Sequence, residues 1–149
     1  MRLLHVTRSE QGSASLEFIV AGVLLMVPLV YLTLVLGRVQ AGTLAAESLA
    51  RQAARVYVTA PTTQLAASRV AMATADTLAD FHFTAREGGV TISCSPATTP
   101  CLRSQSWVSA RSRIDVTLPF VPAILGLEKY AQITVSASAT ERVALGAGQ

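Results

Sequence analysis

A chain of 149 residues suits one modest domain, but 51% hydrophobic against only 14% charged residues is apolar for a water-soluble protein of this size. The net charge of +3 comes from arginines scattered along the chain and a single lysine, Lys129, with no basic run, which argues against nucleic-acid binding. Two histidines, one of them (His5) ahead of the apolar segment, leave His82 alone in the distal region, so a histidine triad or multi-histidine metal site is poorly supplied, and no enzymatic activity, cofactor or metal is expected.

Residues 1 to 12, "MRLLHVTRSEQG", form a short polar leader with Arg2 and Arg8. An uncharged run follows from Phe18 to Leu36. As a helix it spans about 28 Å, close to the hydrocarbon thickness of a bilayer, and predicts a single transmembrane pass. Pro28 lies inside it, which membrane helices tolerate. Glu17 stands at its leading edge, where an ionised carboxylate is unfavourable unless it is paired or reaches the headgroups. Arginines flank both ends of the run (Arg2 and Arg8; Arg38, Arg51 and Arg55), so charge alone does not settle orientation.

Beyond Leu36 no proline occurs until Pro61, and the helix is expected to continue as an amphipathic extension. Val39, Thr43, Ala46, Ala50, Ala53 and Tyr57 form one stripe, whereas Gln40, Glu47, Arg51 and Arg55 form another. Thr62 or Thr63 can cap a second helix through "QLAASRVAMATADTLADF", and Gly88 and Gly89 break its pattern. The period then becomes two. Val90, Ile92 and Cys94 alternate with polar residues in a first strand; Val108, Ala110, Ile114, Val116 and Leu118 do so in a second, and Ile133, Val135, Ala137 and Ala139 in a third. An α+β fold is predicted: a long N-terminal transmembrane/amphipathic helix, a second helix and a small three-stranded antiparallel sheet, with water on one face of the sheet and a helix on the other.

Cys94 and Cys101 enclose the six-residue loop "SPATTP", a spacing that reads as a disulfide beyond a membrane segment; the other reading is two free thiols in a reducing compartment. The apolar connection "PFVPAILGLEKY" between the last two strands suits either a partner-binding or membrane-touching patch or a short helix over the end of the sheet.

Taken together, "QGSASLEF", with glycine closing a basic leader, four residues, then a glutamate entering an apolar helix, resembles the processing site of type IV pilin-like proteins. "GSASLEFIV", Gly37 and "AAESLARQAARVYV" extend this to a resemblance with the TadE-like family, pseudopilins of the tight-adherence (Tad) pilus machinery, over about residues 12 to 58. The distal "ITVSASATERV" strand and the proline-bounded turn before it are also similar to that family. Phe18 stands where the major Tad pilins usually carry tyrosine, and a long folded region follows the helix, which points to a minor subunit.

The resemblance implies a non-catalytic structural component, cut by a prepilin peptidase between Gly12 and Ser13 so that Glu17 becomes the fifth residue. It further implies assembly with other pseudopilins, the major pilin and an inner-membrane platform. The expected organisation is a prepilin-type leader (1–12), a transmembrane helix with amphipathic extension (13–60) and an extracytoplasmic α+β domain (61–149). The expected setting is the cytoplasmic membrane, N-terminus inside, with incorporation into a pilus. Glu17 would pair with the Ser13 ammonium of its own or a neighbouring subunit. Two rival readings remain open on the residues alone: an uncleaved membrane-anchored adaptor, and a secreted binding protein cut by signal peptidase after "VQA", before Gly42.

Overall fold

The computed structural model describes residues 13–97, 101–120 and 131–144. The elements run α1 (Ser13–Val58), α2 (Thr63–Asp80), β1 (Gly88–Ser95), β2 (Trp107–Thr117) and β3 (Gln132–Arg142). The strands form one antiparallel sheet in the order β1-β2-β3. This is the α+β fold that the change in period predicts. The chain divides into two compact units, Met1–Leu36 and Gly37–Gln149, and α1 contributes residues to both.

In the second unit the inner face of β2 is the floor of the core: Val108, Ala110, Ser112, Ile114 and Val116 are all fully buried. The extension of α1 covers it with small residues. Ala45, Ala46, Ala50, Ala53 and Ala54 are buried, along with Leu49 and Tyr57. Gly42 belongs to the same stripe, and a Cβ there would collide with Val116. This is wider than the stripe read from sequence and differs from it at Thr43, which is exposed and returns its hydroxyl to the Val39 carbonyl at 3.0 Å. Gly42 takes the inward position in its place.

Two apolar clusters follow from this packing. Ala45, Ala46, Leu78, Phe83, Ile114 and Val116 make one. Ala53, Ala54, Tyr57, Ala66, Val70, Val108, Ala110, Leu102 and Val143 belong to the other. Full burial of each Leu, Ile or Val here contributes about 1.5–3 kcal/mol. On β3, Val135, Ala137 and Ala139 are only half-buried and Ile133 is exposed, so the helices cover the centre of the sheet more completely than this edge.

The caps of α2 account for its limits. Thr62 accepts the Leu65 N–H at 3.2 Å, which satisfies one of the free donors of the first turn. At the other end Phe83 N–H donates to the Leu78 carbonyl (2.8 Å) and His82 N–H to that of Ala79 (3.0 Å), with His82 at φ 59. This is a Schellman turn with Leu78 and Phe83 in apolar contact, and His82 occupies the left-handed position that usually takes glycine. The Gly88–Gly89 pair, expected only to break the helical pattern, opens β1. A Cβ at Gly88 would lie 2.6 Å from Leu78 Cδ2, so glycine is what lets α2 approach the strand.

Ser112 interrupts the apolar run of β2, yet its side chain is fully buried. Its hydroxyl donates to the Ala46 carbonyl of α1 at 2.6 Å and lies 3.3 Å from that of Ala137 on β3. A small hydroxyl at this point permits close helix–sheet contact and bonds across it. Ser112→Ala should lower the unfolding free energy of this unit by about 1 kcal/mol, and Ser112→Leu by a further ~1–3 kcal/mol through overpacking, read from denaturant titrations followed by circular dichroism.

Candidate functional site

Glu17 lies in α1 four residues after Ser13, one helical turn or about 6 Å along the axis. Its side chain is exposed between Leu16 and Phe18 and makes no ion pair or hydrogen bond among the described residues. Gly12, the other half of the expected cleavage junction, lies outside the described residues. Every large apolar side chain from Phe18 to Leu36 is uncovered by this chain apart from Val35, which is half-buried. An apolar surface this large needs lipid or another apolar helix to cover it.

α1 is long and apolar enough to cross a membrane by length and composition. Two polar features inside the apolar stretch are accommodated locally. Thr33 turns its hydroxyl back to the Val30 carbonyl at 2.7 Å, and Pro28 lacks only the one N–H that would otherwise bond to the Leu24 carbonyl. The exposed surface of this stretch is therefore apolar apart from the Tyr31 hydroxyl and the Glu17 carboxylate at its edge.

At the far end of the second unit, Cys94 of β1 and Cys101 form a disulfide with Cα atoms 5.6 Å apart. The bridge fixes a turn that the sheet also holds. The Ser106 hydroxyl is 2.7 Å from the carbonyls of both Cys101 and Arg103, Val143 N–H donates to the Ser106 carbonyl, and Gln105 N–H donates to that of Val143. Leu102, next to the bridge, is buried in the same cluster as Val143 and Tyr57. The disulfide thus secures the end of the core beneath which α1 terminates.

The sequence-derived residues fall in different units. Glu17 is in the first unit and Cys94–Cys101 in the second, and the bulk of "PFVPAILGLEKY", residues 121–130, lies outside the described residues, as do 98–100 of the disulfide loop. Phe120 at its start is exposed with φ 63. Sequence reasoning passed over Ser112, although its place in the alternation puts it on the apolar face. It also passed over Gln52, whose Oε1 accepts the hydroxyl of buried Thr77 at 3.1 Å and ties α2 to α1. Among the described residues no group of three or more His, Cys, Asp or Glu is placed to hold a metal ion. Comparison with protein-family models, with curated proteins and with solved structures gave no match.

The bridge closes a short loop, for which the chain-entropy relation gives about 2.5 kcal/mol. Cys94→Ser/Cys101→Ser should reduce stability by that order. In the unaltered protein both thiols should resist alkylation until a reductant is added, checked by mass after labelling in native extract.

Proposed function

We propose that this chain is a minor, non-catalytic pseudopilin of a Tad-type pilus system, held in the cytoplasmic membrane by α1 with its C-terminal unit outside. One observation carries the reading. An uncovered apolar helical stretch, entered through the single carboxylate of Glu17, is continuous with an amphipathic stretch that forms the wall of a disulfide-bonded α+β unit. Subunits built this way assemble by burying their apolar helices together, which is the covering that Phe18–Leu36 lacks in the isolated chain. The disulfide is consistent with an oxidising compartment.

In this reading a prepilin peptidase cuts between Gly12 and Ser13, and the new ammonium of Ser13 becomes the partner of Glu17 within the subunit or across to a neighbour. The partners are other pseudopilins, the major pilin and the inner-membrane assembly platform. A second reading has its own support: among the described residues Gly42 is the first buried one of α1, so a chain cut after Ala41 by signal peptidase would keep those buried residues of the helix.

The mature N-terminus separates the readings. It should be Ser13 in cells that contain the cognate peptidase, and Gly12→Val should leave the leader attached because the branched side chain crowds the scissile bond. A mature chain beginning at Gly42 would sink the pilin assignment.

Glu17→Gln keeps the size of the side chain and removes its charge. The variant should reach the membrane in normal amount and be processed, yet its co-purification with partner pseudopilins should fall roughly tenfold and piliation with it, since the Ser13 ammonium is left without its partner. Wild-type recovery of partners and normal pilus counts would show that Glu17 is not an assembly residue.

A further inference from the structure

The outer face of the sheet, turned away from the helices, carries a recess of ≈ 540 Å³ beside Gly88 and Gly89. Arg111 and Arg113 stand on this face two residues apart on β2, about 6.8 Å along the strand, and Arg86 reaches the same rim from the turn before β1. In the register Arg113 faces Gly89 and Arg111 faces Thr91. The missing side chain at Gly89 opens the depression, and a Cβ built there meets nothing within 4 Å.

The charges in the recess do not cancel. Glu87 directs Oε2 to the Thr84 N–H (2.7 Å) and hydroxyl (2.9 Å). Asp115 accepts the Thr134 hydroxyl at 2.6 Å and the Arg113 Nε at 3.4 Å. Both carboxylates are thus engaged locally, whereas Arg86 and Arg111 make no ion pair among the described residues. Around them the lining is hydroxyl and glycine. Thr91 and Ser136 are exposed, and Val90, which borders the recess, packs its side chain against the core on the inner face.

We propose that this recess binds a carboxylated sugar, a uronic-acid unit of an acidic polysaccharide, with the Arg111 guanidinium on the sugar carboxylate and the Thr91 and Ser136 hydroxyls on its ring hydroxyls. A guanidinium presents paired N–H donors that match a carboxylate in two parallel bonds. The flanking hydroxyls donate and accept, as a sugar ring requires. A peptide ligand would need apolar pockets for its side chains, and the lining on this face supplies none. The volume falls within the range of small-ligand sites. The inference is independent of the pilin reading, since it uses only the second unit.

The test uses the full chain in phosphatidylcholine nanodiscs, titrated calorimetrically with trigalacturonate at fixed ionic strength. Saturable binding of one ligand per chain is expected, with none for the neutral galactotriose. Arg111→Gln removes the guanidinium, and Gly89→Leu fills the recess without changing charge; each should weaken binding roughly tenfold, while Arg69→Gln on the exposed face of α2 should leave it unchanged. Circular dichroism checks that both variants remain folded, and Arg111→Gln decides alone if Gly89→Leu does not. Absence of saturable binding, wild-type affinity in the folded variants, or equal displacement by inorganic phosphate would overturn the proposal.

Discussion

The contact on which the C-terminal unit depends is the approach of an alanine-rich helix face to the central strand of a three-stranded sheet. Gly42, Ala45, Ala46, Ala50 and Ala53 have side chains too short to hold the helix away from β2, and the Ser112 hydroxyl meets the Ala46 carbonyl at 2.6 Å. Larger residues on the helix would raise it off the sheet and break that bond. Most of the bulk that fills the core comes from the sheet and from α2, through Ile114, Val116, Val108 and Leu78, and α1 adds Leu49 and Tyr57. Small residues on one partner and branched residues on the other give the interdigitation that close packing needs.

The polar parts of the unit follow from this arrangement. With both helices on one side, the other face of the sheet is left to water, and its residues bond to one another: Ser109 with Thr140 at 2.8 Å, Thr134 with Asp115, Arg113 with Asp115. These exposed pairs contribute little to stability individually. Their effect is to set which charges are already satisfied and which remain free. On the N-terminal part of α1 the situation is reversed: the exposed surface is apolar and the carboxylate of Glu17 is the exception.

Much of the fold is legible in the amino-acid order because helices and strands impose different periods. Val90, Ile92 and Cys94, and Val108, Ala110, Ile114 and Val116, alternate strictly and lie in strands on the inner face. The N-cap of α2 can be read from Thr62 and Thr63 before the apolar pattern, and Thr62 is the residue that caps. Alternation places Ser112 on the apolar face, but its bond to the Ala46 carbonyl and the inward position of Gly42 were not legible, since both depend on how closely two elements approach, which local pattern does not encode. The same holds for Gly88, whose reason is the Leu78 side chain of a different element. As for the candidate site, the apolar stretch, Glu17 and the cysteine pair are visible in sequence, whereas the glycine-floored recess is not. It requires the register that sets Gly89 opposite Arg113.

The bond between Ser112 and Ala46 joins residues 66 positions apart, and this separation bears on synthesis. At ~5–20 residues per second a ribosome needs roughly 3–13 s to make β2 after it has made the alanine face of α1. During that interval the nascent helix has no sheet to rest on, and β2 in turn has no edge partner on one side until β3 emerges. A unit wired this way completes its core only near the end of translation, so premature chain termination before β2 leaves an amphipathic helix with its apolar face bare.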